Sequence, residues 1–191
     1  MRNYELRARS IKAMDYSENS FNYFELESFP WLLFAFVSLF VFKPVAVVLH
    51  EVGHLIPAFF LTSGTIKVRI GESRKQKVLK LGRRIELFFS LDFSGLGSTT
   101  HNETSIPKFY EFFIIMGGPL LSIMVTTISG IILLSGTSYL WLEVVIAGFL
   151  CSNFLIFLRS AIPIHLKPSK NFPEAPPSDG LQLLRLLRGR N

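Results

Sequence analysis

"VVLHEVGHLIPAFF", residues 47–60, sets His50, Glu51 and His54 inside an apolar run that extends from Pro30 to Leu61. That run exceeds the ~20 residues that cross about 30 Å of hydrocarbon, so it reads as a membrane-spanning helix. An uncompensated ionisable side chain costs about 2.5–3.5 kcal/mol at the centre of such a helix, and its presence marks a metal, a proton path or a polar partner. His50 and His54 are four apart and share one helix face, where two imidazoles can converge on a single ion. Glu51, one position on, is turned about 100° from His50. It is placed to take a proton from water rather than to bind the ion. Neutral imidazole nitrogens suit zinc, which lowers the pKa of its water to about 7 and polarises a carbonyl. The competing reading of the three residues is structural, a polar cluster that glues helices together.

The surroundings support a membrane setting. The 191 residues are 49% hydrophobic with 19 Phe and a mean hydropathy of +0.39, and two more apolar blocks follow at Phe112–Leu134 and Tyr139–Leu158. The expected fold is mainly α, with about three transmembrane helices. Lys43-Pro44 interrupts the first block, where a lost backbone N–H should kink the helix. A hairpin folded at that point is the competing topology, although each half would be short for a span. A polar N-terminal segment, residues 1–29, precedes a membrane-embedded core at 30–191, and it lacks the short apolar region and cleavage pattern of a secretory signal.

The net charge of +6 follows topology rather than a nucleic-acid surface. Lys67, Arg69, Arg74, Lys75, Lys77, Lys80, Arg83 and Arg84 crowd the segment after the first span, against Glu72 and Glu86. By the positive-inside rule that segment is cytoplasmic. The basic tail with Arg185, Arg188 and Arg190 then also lies inside, and the protein is expected in the cell membrane as a multi-pass chain. Cys151 is the sole cysteine, so a metal here needs His and carboxylate ligands.

Between the first and second spans, "TIKVRI" (65–70), "KVLKL" (77–81) and "RIELFFSLDF" (84–93) alternate or are β-branched and are separated by turn residues. They predict a small β-sheet at the membrane surface, whose edge could accept an extended peptide. "GLGSTTHNETSIP", residues 95–107, reads as a loop. Gly117-Gly118-Pro119 is expected to open the second span, with small residues that allow close helix approach. After the third span, a proline-rich connector (162–177) leads to "SDGLQLLRLLRGR", residues 178–190, a basic leucine-faced helix too short to span and therefore interfacial or re-entrant. A catalytic zinc needs a third protein ligand and an open position. The candidates are Asp179, His101, His165, Glu103 and Asp92. Asp179 stands out because prolines precede it and Gly180 follows, although an Asp there is also an ordinary helix cap.

In this order, "HEVGH" (50–54), "GGPL" (117–120), "NFLIFLRSAIPI" (153–164) and "SDG" (178–180) resemble the site-2 protease family of intramembrane zinc metalloproteases. The resemblance covers most of the chain from about Pro30 onward. It implies one zinc ion per chain held by His50, His54 and Asp179, with Glu51 as general base. It places Asn153 near the active site, where an amide could bind substrate backbone or steady the oxyanion, and Gly117, Gly118 and Pro119 as structural residues beside it. Ser160, next to Arg159, stands where the family usually has a second Asn, and the connector to Asp179 is longer than the family's compact form. The implied substrates are single-span membrane proteins cut near the cytoplasmic side within the lipid bilayer, with regulation by a membrane partner. The alternative is a catalytically silent scaffold of the same family, and an intact Glu51 argues against it.

Overall fold

The computed structural model describes the chain apart from residues 1, 72–76, 91–96, 103–105, 137, 167–175 and 190–191, with backbone alone at 2–28. Four helices and four strands follow in the order α1 (Arg2–Leu61), β1 (Ile66–Ile70), β2 (Lys77–Leu81), β3 (Ile85–Phe89), β4 (Gly97–His101), α2 (Lys108–Leu134), α3 (Leu140–Ala161) and α4 (Asp179–Leu187). Three helical stretches are long and apolar enough to cross a membrane: Phe29–Leu61, Lys108–Leu134 and Leu140–Ala161. Their outward faces carry exposed Phe36, Phe40, Phe60, Ile131, Leu134 and Leu155, for which hydrocarbon is a better solvent than water.

α1 runs unbroken through Pro30, Pro44 and Pro57. The hairpin topology at Lys43-Pro44 is therefore ruled out, and the polar N-terminal segment continues into the first long helix from Arg2. α1 packs on both α2 and α3, and small residues set the approach. A side chain on Gly53 would run into the backbone of Gly117 and Gly118, and one on Gly148 would meet Ser38. Where α1 and α3 meet, the Ser152 hydroxyl also donates to the Leu39 carbonyl at 2.9 Å, and the Phe42 and Phe149 rings stack edge to face at 5.4 Å.

This packing corrects one expectation. Gly117-Gly118-Pro119 does not open α2, which begins at Lys108, but lies well inside it. The small residues serve the crossing with α1, and that contact falls where the helix already runs.

The sheet has the order β2-β3-β1-β4, with β1 parallel to β3 and antiparallel to β4, and β2 antiparallel to β3. Alternation gives it two chemically distinct faces. Ile66, Val68 and Ile70 are buried in one cluster with Ala58 of α1 and Ile114 of α2. Their register partners on that face are Ile85, Leu87 and Phe89, then Leu81 and Leu79. The other face presents Lys67, Arg69, Lys80 and Glu86.

β4 lies in the stretch expected to be a loop. Its inward residues are Gly97, Thr99 and His101, paired with Ile70, Val68 and Ile66. Gly97 and Thr99 face Glu51 of α1 and His101 lines a cavity, so the strand carries no apolar alternation for a sequence reading to detect. The expected third strand over 84–93 is β3 at Ile85–Phe89; residues 91–93 lie outside the described ones. α4 is interrupted from α3 by the connector and, at nine residues and about 1.5 Å each, is too short to cross a bilayer, as expected.

Candidate metal centre

Helix periodicity brings His50 and His54 together on α1, and both are buried, at 7% exposure, as is Glu51 at 4%. The first helical residue of α4, Asp179, approaches from the far end of the chain. His50 Nε2 lies 3.0 Å and His54 Nε2 3.5 Å from Asp179 Oδ2. The two imidazole Nε2 atoms are 3.2 Å apart. Three ligands at 2.0–2.1 Å in tetrahedral array are separated by about 3.3 Å, so this spacing suits one ion of zinc's size.

The outer ring nitrogens are held as such a site needs. His54 Nδ1 lies 2.7 Å from the Ile114 carbonyl; a carbonyl can only accept, so Nδ1 carries the proton and Nε2 turns a lone pair inward. His50 Nδ1 meets the Ser122 hydroxyl at 3.0 Å. Without a cation or proton between them, two inward lone pairs and a carboxylate would repel one another. The residues present therefore fit a metal ion, and they are the one such group among the described residues. Burial pushes the Asp179 carboxyl up, while protons on the facing imidazole nitrogens, where they take the place of a cation, hold it down at about 2.

Glu51 is not a member of the triad and is held separately. Thr99 of β4 donates its hydroxyl to Glu51 Oε2 at 2.6 Å, and Gly97 leaves room for Oε1 where any side chain would collide with the carboxylate. Gly118 makes similar room for the His54 ring. A cavity of about 450 Å³ opens over these groups, walled by β4, α2, α3 and α4, with Glu111, Arg159 and Gln182 among its polar lining residues.

The remaining candidates separate clearly. His101 lines the same cavity but stands apart from the three converging donors, and its Nδ1 is buried with no hydrogen-bond partner. His165 pairs with Pro177 in a β-bridge and meets Arg185 at 3.2 Å. Asp92 and Glu103 lie outside the described residues. Asn153 is fully buried on α3; its amide donates to the Phe149 carbonyl at 2.8 Å, and it does not line the cavity.

Sequence reading missed Thr99, Ser122 and Ser178. Ser122 carried a signal, a lone hydroxyl in an apolar run. Thr99 carried none, because its partner Glu51 is distant in sequence. No family model, curated protein or solved structure matches the chain.

Proposed function

We propose that the chain is an intramembrane zinc metalloprotease, similar to the site-2 protease family, that cleaves single-span membrane proteins near the cytoplasmic side. One observation carries the reading: two imidazole nitrogens and a carboxylate oxygen converge beside a separately anchored glutamate, in a cavity between helices apolar enough to cross a membrane. The location in depth agrees. His50 and His54 precede the end of α1 at Leu61 by 11 and 7 residues, roughly 10–17 Å along the helix, and the basic segment that follows marks that end as cytoplasmic.

A zinc ion held by His50, His54 and Asp179 would supply a Lewis acid that makes a nucleophile from water at neutral pH and polarises the scissile carbonyl. Glu51 takes the proton from the attacking water as the hydroxyl joins the carbonyl carbon. It returns that proton to the amide nitrogen as the C–N bond breaks. The Thr99 hydroxyl holds Oε2 and leaves Oε1 for the water. The outer edge of β4, unpaired among the described strands, lies along the cavity, and an extended substrate segment pairing there would be presented to Glu51 with its backbone hydrogen bonds satisfied. Transmembrane substrates must unwind locally to be cut, so a strand edge at the site is chemically useful.

The test is paired. Purified protein should contain one zinc per chain and His54→Ala should not; wild type should cleave a reconstituted single-span substrate and Glu51→Gln should not. Metal-free wild type would refute the centre, and an active Glu51→Gln would refute the mechanism.

A further inference from the structure

The connector between α3 and Asp179 is long, yet Asp179 reaches the two histidines within hydrogen-bond distance. The backbone explains how. Ile164–Leu166 and Pro176–Ser178 run antiparallel: Leu166 N–H donates to the Pro176 carbonyl at 2.8 Å, Ser178 N–H donates to the Ile164 carbonyl at 2.9 Å, and His165 bridges to Pro177. This short ladder sets Leu166 beside Pro176.

Ser178 locks the ladder to both neighbouring helices. It is 2% exposed. Its hydroxyl donates to the Ile162 carbonyl at 2.6 Å and accepts from Ile164 N–H at 3.1 Å and from Leu181 N–H at 3.2 Å. One oxygen thus joins the residue that caps the end of α3, the strand after it and the first turn of α4. Gly180 completes the fit, because it packs on the Ala161 carbonyl where a side chain would collide.

We propose that Ser178 is the positioning residue that sets Asp179 at the metal centre, and that residues 167–175 are dispensable for that placement. The inference rests on the metal reading above and concerns which residues deliver its third ligand. An ordinary cap would satisfy Leu181 N–H alone. The added bonds to Ile162 and Ile164 fix where α4 begins relative to the end of α3, which is what the ligand geometry requires.

The experiment compares zinc affinity by chelator competition in folded, monodisperse full-length protein. Its arms are wild type, Ser178→Ala, Ser178→Thr, and a chain in which 167–175 is replaced by a two-residue Asn-Gly turn, the connection suited to an antiparallel pair. Removing a group that orients a ligand typically costs about 10- to 100-fold in metal affinity. Ser178→Ala should show that loss, Ser178→Thr should recover most of it, and the shortened chain should stay within about threefold of wild type by the same standard. Should Ser178→Ala not fold, the shortened chain and Ser178→Thr carry the test. A shortened chain that is unfolded or unloaded overturns the proposal, as does wild-type affinity in Ser178→Ala. Wild type that binds no zinc would instead defeat the metal reading, and shows before any variant is compared.

Discussion

Replacing Thr99 by valine isolates the anchor of the proposed base. The two side chains are nearly the same shape, both suit a strand, and the change deletes only the hydroxyl that donates to Glu51 Oε2 at 2.6 Å. Glu51 is 4% exposed, so water does not simply replace the lost donor. A hydrogen bond to a charged group contributes about 1.5–3 kcal/mol, and each 1.4 kcal/mol is about tenfold in rate. Cleavage by Thr99→Val should therefore fall about 10- to 150-fold in kcat. Zinc content should not change, since Thr99 touches none of the three ligands. Thr99→Ser, which keeps the donor, should restore most of the activity. The assay is cleavage of a single-span substrate in liposomes, with zinc measured on the same preparations. Unchanged kcat in Thr99→Val would refute the reasoning, and so would loss of zinc, which would place Thr99 in the ligand shell.

Asp179→Ala should abolish zinc binding, whereas His101→Ala and His165→Ala should each retain one zinc per chain; zinc loss in either histidine variant would reassign the third ligand. Gly53→Ala should lower the thermal midpoint in detergent by the equivalent of about 1–3 kcal/mol, because the new methyl meets the Gly117 and Gly118 backbone; a wild-type midpoint would mean that the helices do not meet there.

The parts of the fold legible in sequence are those where one environment acts on a whole element. The long helices announce themselves because they are apolar over nearly their whole length, and β1 because its alternation follows a sheet with one buried face. β4 escaped for the opposite reason. Its inward positions answer to Glu51 and the cavity, so Gly97, Thr99 and His101 follow local fit rather than a pattern. Gly117 and Gly118 read as close-approach residues in sequence, but Pro119 beside them points to a helix start, whereas the two glycines serve a crossing inside α2. His50, Glu51 and His54 were legible from spacing alone because they share one element. Asp179 stands out in sequence by its local context, but an ordinary helix cap reads the same way, because what brings it to the histidines is Ser178 bonding to residues before the connector.

The sheet and the metal centre are mechanically one unit, and Ile114 shows how. Its side chain is buried with Ile66, Val68 and Ile70 of β1, while its carbonyl orients His54. β1 in turn pairs with β4, and β4 holds Glu51 through Thr99. A displacement of the sheet away from α2 would therefore disturb His54 and Glu51 together. The same linkage runs through α2, where Ser122 meets His50 and Gly118 admits the His54 ring. The two histidines of α1 are thus set from two sides by groups that they contact only after the helices and the sheet have packed. Under the proposed function, a peptide lying along β4 would meet the same backbone that carries Thr99, so substrate placement and proton transfer by Glu51 would be tied together.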